Sequence, residues 1–312
     1  MGLGTLLLEF FIPFSELFLP IIPGDVFPYF FGKELNGEPV TLFQTSLFAA
    51  FLITITACFL GPYLIIRNLA LIGDGLAHVS FGGIAVAIVM GYSNLALEFA
   101  LLFSVTSAIL IYELQSRQIL TGDTAIAIFL TGMLALGLVV LQVFGGGITS
   151  NIHGYLFGNV LLISNDILDK ITLICVISFF LLVIIRRGLL AMTLDPLAAR
   201  VQGIPVHAIG LLFSIITAAV VVGMVKMVGA VLVTALLVTP AATGKLIGSS
   251  FRSCMIWSQI FGFTSVLLGL YFSSELGTGT GTMIALVAAI VFAIVLISQN
   301  LFKLILHSKG NY

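Results

Sequence analysis

Between Thr41 and Phe302 the chain is a succession of apolar runs, each close to the roughly 20 residues that cross a bilayer. They fall at Thr41–Ile66, Leu71–Gly91, Leu95–Gln115, Thr124–Phe144, Ile171–Ile185, His207–Val225, Met227–Ile247, Met255–Phe272 and Met283–Phe302. Segments in hydrocarbon must satisfy their own backbone polar groups, so helices are the natural spanning element. Charged residues make up 8% of the chain, against about 25% in an ordinary soluble domain. The expectation is an all-α polytopic membrane bundle of eight or nine transmembrane helices, forming one membrane domain. Pro240 is expected to kink or break the seventh run, and Gly145 to Ile163 has room for a short re-entrant helix.

Within the second run, LALIGDGLAHVSFGGIAVAIVMG (Leu69 to Gly91), stand Asp74 and His78. Ionisable groups are costly in hydrocarbon and by default face a polar cavity or a pathway. At i and i+4 they share one helix face, one turn apart, where a carboxylate oxygen and an imidazole nitrogen can approach one small divalent cation. Zinc usually takes four ligands, so two copies of the stretch facing each other across a symmetric dimer would complete a set. The plainer reading is a pair that only glues helices together; the rarity of ionisable pairs on one face in hydrocarbon favours a metal pathway. Gly73, Gly75, Ala77, Ser80, Gly82 and Gly83 are small enough to let another backbone come close.

Basic residues set the orientation. With the first run ending inside, Arg67, Arg117, Arg186, Arg187, Arg200, Lys245, Arg252, Lys303 and Lys309 are cytoplasmic, leaving Lys33, Lys170 and Lys226 outside. This places the C-terminus, with a tail over 304–312, in the cytoplasm and the chain in the cytoplasmic membrane. Residues 1–40 form an extracytoplasmic or interfacial extension. Its Leu3 to Leu19 stretch carries Glu9 and Glu16 seven residues apart, a pattern that fits a helix lying in the membrane interface. No positively charged leader or cleavage site marks it as a signal peptide. A net charge of −1 gives no reason to expect nucleic acid. Cys58, Cys175 and Cys254 sit singly in apolar runs and read as buried hydrophobes.

TLDPLAARVQGIPVH (Thr193 to His207) is the longest polar stretch that this topology puts in the cytoplasm between two spans. Asp195 can cap a helix that starts at Pro196, and Gly203 can end it, with Pro205 just beyond. A helix of about two turns between membrane spans is suited to docking into a partner's groove, although a plain connecting loop has the same composition. Gly244-Lys245 lacks the Ser or Thr and the earlier glycine of a phosphate loop. There is no HExxH and no GxSxG, so no enzyme activity is expected. His153 reads as a surface histidine, His207 and His307 as interfacial ones. Glu275, in the outer turn SSELGTGTGT, is a candidate to line a metal entrance.

Five ordered motifs carry a family resemblance: GDGLAHVSFGGIA (Gly73–Ala85), GDTAIAIFLTGMLALG (Gly122–Gly137), YLFGNVLLIS (Tyr155–Ser164), DPLAARVQGI (Asp195–Ile204) and VGAVLVTALLVTPAAT (Val228–Thr243). The chain resembles the membrane permease subunits of ABC-type importers for zinc, manganese or iron(II), the family that contains the bacterial high-affinity zinc permeases. The resemblance runs from about Thr41 to Phe302. It implies the vitamin B12/metal-chelate type of importer permease over residues 41–303, and a second copy of this chain as partner. A cytoplasmic ABC ATPase dimer that consumes ATP and an extracytoplasmic metal-binding solute-binding protein are implied with it. Asp74 and His78 would then contact the metal in transit. Asp195, Ala199 and Gly203 would belong to the coupling helix, about 194–204, that meets the ATPase. No cofactor resident on this chain is implied, only transported Zn2+, or else Mn2+ or Fe2+. AHVS at Ala77–Ser80 is closer to the zinc members. Two other classes compete on the residues alone. An ATP-independent secondary transporter would use Asp74 and His78 as a proton relay. A membrane hydrolase would need a third ligand and a general base that are not visible nearby.

Overall fold

The computed structural model describes residues 2–19, 23–32, 34–35, 38–39, 41–144, 158, 163–230 and 233–309. The helices, in order, are α1 (Leu3–Glu16), α2 (Thr41–Ile66), α3 (Ile72–Val89), α4 (Ala96–Ser116), α5 (Gly122–Phe144) and α6 (Asn165–Leu194). After them come α7 (Pro196–Val201), α8 (Val206–Val228), α9 (Val233–Leu237), α10 (Thr239–Ile247), α11 (Phe251–Leu276) and α12 (Thr280–Lys309). A 3-10 turn at Phe27–Phe31 and a hairpin of two-residue strands, Glu34–Leu35 against Glu38–Pro39, complete the extension. Among the described residues eight helices are long and apolar enough to cross a membrane.

Two expectations need correction. The seventh run, Met227–Ile247, is not one span. α8 continues to Val228, Gly229 takes φ 88° and ψ 156°, and the chain resumes as two short helices, α9 and α10. Pro240 stands in the first turn of α10, where its missing N–H would be unsatisfied in any case. Broken helices at bilayer depth persist where protein or a cavity supplies partners for the freed backbone groups. The fifth run, Ile171–Ile185, is only the middle of a 30-residue helix. At 1.5 Å per residue, α6 is about 45 Å long, so its polar ends, with Asp166 and Arg187, pass beyond the hydrocarbon. Gly145 to Ile163, with the expected re-entrant helix and His153, lies almost wholly outside the described residues.

Side-chain contacts sort the helix ends into two sets. At one end Tyr63 of α2 meets Phe251 of α11 at 4.8 Å between ring centroids. There also His207 of α8 lies 3.0 Å from Glu113 of α4, and Arg67 sits over the Phe213 ring at 5.2 Å. At the other end Lys170 of α6 donates to Glu98 of α4 at 2.5 Å, and the Thr5 N–H donates to Asp169 at 2.8 Å. Arg67 and Lys170 fall in different sets, as the distribution of basic residues predicts.

α1 forms as expected and leaves Glu9 and Glu16 exposed, with Phe11 packed on Phe48 and Phe51 of α2. The extension is tied down by Glu275 at the end of α11. Its carboxylate accepts the backbone N–H groups of Asp25 (3.1 Å), Val26 (2.9 Å) and Phe27 (2.8 Å), and Tyr271 stacks edge-on against Phe27. A carboxylate receiving several N–H groups at the start of a helical turn is a charge-assisted cap. Glu275→Ala should cost about 1–3 kcal/mol. Limited proteolysis is expected to open the chain around Gly24 while the bundle remains folded; unchanged protection would show that the three bonds do not hold the extension.

Candidate functional site

α3 is the helix most enclosed by its neighbours, and its glycines are the reason. A Cβ on Gly75 would lie 2.6 Å from the Ile126 side chain of α5, one on Gly82 2.8 Å from the Met133 carbonyl of α5, and one on Gly83 2.7 Å from the Phe99 carbonyl of α4. On Gly73 it would stand 3.1 Å from both Leu237 and Thr234 of α9. Small residues thus bring α4 and α5 to backbone contact and let the side chains of α9 close on Gly73, as the run of small side chains predicts.

Against this packing two side chains stay partly open. Ile72, Gly73, Gly75, Leu76, Ala77, Val79 and Ser80 are all buried, whereas Asp74 and His78 are half-buried. They lie one turn apart on the same face, beside the broken segment. The Thr234 hydroxyl of α9 donates to Asp74 Oδ1 at 2.5 Å, a short bond of the charge-assisted kind. His78 Nδ1 is buried and has no hydrogen-bond partner among the described residues. Leaving a buried polar nitrogen unpaired is unfavourable, so its position is one that a further group, a cation or a donor from outside, would complete. A carboxylate and an imidazole together suit borderline divalent metals. Among the described residues no three His, Cys, Asp or Glu side chains gather to hold a metal, so a single copy brings two such ligands, short of a four-ligand set.

The remaining candidates lie elsewhere. Glu275 does not join Asp74 and His78; its carboxylate is engaged with the extension at the opposite end of α11 from Phe251. Asp195 caps α7 as its spacing predicts, accepting from Leu197 N at 2.9 Å and Ala198 N at 3.0 Å. Gly203 ends the turn at φ 78°, a left-handed conformation that favours glycine. Ala199 is buried, while Leu197 and Val201 stand 72% and 89% exposed, two large apolar side chains presented outward from a six-residue helix. Cys58, Cys175 and Cys254 are buried and unpaired.

Thr234 is the site residue that sequence reasoning missed. A lone threonine in an apolar helix usually bonds its own i−4 carbonyl, as Thr217 does with Phe213 here. Only the break after α8, which brings α9 beside Asp74, distinguishes Thr234 from such residues.

A model of the ABC 3 transport family matches residues 40–299. The chain belongs to the ABC 3 transport family. It is 32% identical over 266 residues to the manganese transport system membrane protein MntC of Halalkalibacterium halodurans, covering 85% of this chain and 89% of that one. It is 31% identical over 255 residues to a probable iron transport system membrane protein of Haemophilus influenzae, covering 81% and 92%. Among solved structures, PsaBC from Streptococcus pneumoniae in complex with Fab superposes with a TM-score of 0.71 at 30% identity, over 81% of this chain and 90% of that one. This family member is a multi-pass membrane permease subunit and not an enzyme.

Gly82→Leu, which must displace the Met133 carbonyl, is expected to lower recovery of folded chain from membranes at least fivefold. Gly132→Ala on α5, with open space around its Cβ, should leave recovery unchanged. Equal recovery of both variants would show that α3 is not held by backbone contact.

Proposed function

We propose that this permease carries a divalent transition metal into the cell, and that Asp74 and His78 touch the ion in transit. The observation that carries the proposal is the pair's setting. Two metal-ligating side chains share one face of a helix whose other residues from Ile72 to Ser80 are buried, one is steadied by Thr234, and the other keeps a nitrogen without a partner among the described residues. In this reading a second copy of the chain faces the first and supplies the missing ligands. The hold is weak enough for release, since conduction needs a site that an ion can leave. Carboxylate and imidazole accept zinc, manganese and iron(II) alike, so the donor set does not choose the metal. The names of the relatives move the expectation from zinc, which the AHVS wording favours, toward manganese or iron.

The driving force comes from a separate ATPase dimer that consumes ATP. α7, with Leu197 and Val201 exposed beyond the buried Ala199, is the surface that would enter a groove on that partner, and its tight capping at Asp195 and Gly203 makes it a rigid lever. These apolar side chains at a cytoplasmic loop favour ATP coupling over a secondary transporter. An extracytoplasmic metal-binding protein delivers the ion at the opposite end. In this topology residues 41–303 are the permease domain, 1–40 an outer extension and 304–312 a cytoplasmic tail, so the C-terminus is cytoplasmic.

The test is uptake of radioactive manganese, iron and zinc into cells expressing the chain with its ATPase and binding protein, with membrane levels checked. Uptake of the transported metal is expected to fall at least tenfold in Asp74→Ala, in His78→Ala and with a catalytically dead ATPase. Uptake that survives the dead ATPase would overturn ATP coupling. Uptake that survives both alanines would reduce the pair to packing residues.

A further inference from the structure

A second feature of the bundle has no part in moving a cation. α6 and α11 both pack on α2, and between them a crevice of about 620 Å³ runs inward from the end where Tyr63 meets Phe251. Its mouth carries three guanidinium groups, Arg186 and Arg187 of α6 and Arg252 of α11, all exposed. Among the described residues none of the three forms an ion pair. The walls are apolar, from Phe59, Met255 and Ile256, and Gln259 lies at depth with its Nε2 donating to the Ile55 carbonyl at 2.9 Å. From Arg252 to Gln259 is seven residues along α11, about 10 Å at 1.5 Å per residue. The crevice therefore starts at the membrane surface and reaches into hydrocarbon depth.

Three unpaired cations in one mouth repel a divalent metal, so this is no branch of the transit path. They attract an anion, and guanidinium groups match phosphate oxygens with paired N–H donors. Basic pockets between membrane helices recognise anionic headgroups, and the anionic leaflet itself concentrates such lipids around Lys and Arg at its surface. A free phosphate would use the mouth and leave the apolar crevice without an occupant. A soluble protein partner would have to push side chains about 10 Å past Arg252 into a region that lipid fills by default. We propose that this crevice is a binding site for an anionic phospholipid, with Arg186, Arg187 and Arg252 on its phosphate and an acyl chain lying along Phe59, Met255 and Ile256.

The experiment uses the full-length chain, purified and stripped of lipid in detergent, with lipid retention read by native mass spectrometry. Phosphatidylglycerol and phosphatidylcholine with identical acyl chains are offered in competition. Wild type is expected to retain phosphatidylglycerol at least fivefold over phosphatidylcholine, and excess inorganic phosphate should not change that ratio. The triple variant Arg186→Gln/Arg187→Gln/Arg252→Gln is expected to lose the preference, whereas Arg117→Gln, on the same end but outside the crevice, keeps it. If the triple variant is not recovered, each single substitution should lower the ratio at least twofold. A preference that survives the substitutions would overturn the proposal, as would displacement of the lipid by phosphate alone. So would retained lipid preference in a triple variant that no longer co-purifies with its ATPase, which would make the arginines a protein docking surface.

Discussion

A carboxylate at bilayer depth is costly unless something polar meets it, and the bundle around α3 is arranged to meet that demand at Asp74. The partner is Thr234, carried on a helix of five residues beside Gly73. α8 ends at Val228 and the next helix begins at Val233, and that short helix brings a hydroxyl to the acidic side chain. The short helix and the ionisable side chain meet at the Thr234–Asp74 bond, and interrupted helices in membranes are found where they are buried in protein or line a cavity.

Within one chain α3 brings two metal-ligating side chains, Asp74 and His78, onto one face, and among the described residues no third joins them. α3 is closed on the sides facing α4, α5 and α9 by glycine contacts, and open where Asp74 and His78 stand. Packing of that quality fixes the two donor atoms relative to the bundle, so any movement of α3 carries them as a unit. α7 lies directly before α8, and α8 packs against both α3 and α4. α7 is thus joined to the helix bearing Asp74 and His78 through packed side chains.

Much of this was legible in the sequence. Hydrophobic length located the first span at Thr41–Ile66, the same bounds that the structure gives, because a 26-residue apolar run in lipid must satisfy its own backbone and does so as a helix even across Gly61-Pro62. Asp195, Pro196 and Gly203 marked α7, since capping is local chemistry written in adjacent residues. The pairing of Asp74 and His78 on one face followed from the helix period alone. What was not legible depends on contacts distant in sequence. Thr234 is 160 residues from Asp74, and nothing in VTALLVTP distinguishes it from a threonine bonded to its own helix. Glu275, read as a possible entrance residue, binds backbone about 250 positions away. The length of α6 was underestimated because the polar NDILDK at its start and Arg186-Arg187 near its end interrupt the apolar run, although a helix protruding from the membrane tolerates both.

The central claim is that His78 contacts the transported ion, and magnetic resonance of manganese(II) bound to the purified permease–ATPase complex addresses it without relying on transport. The nitrogen hyperfine coupling of a bound imidazole is expected in the wild-type spectrum and is expected to vanish in His78→Gln, with manganese still held more weakly through Asp74. The same nitrogen coupling in wild type and His78→Gln would contradict the account and place the ion's ligands elsewhere.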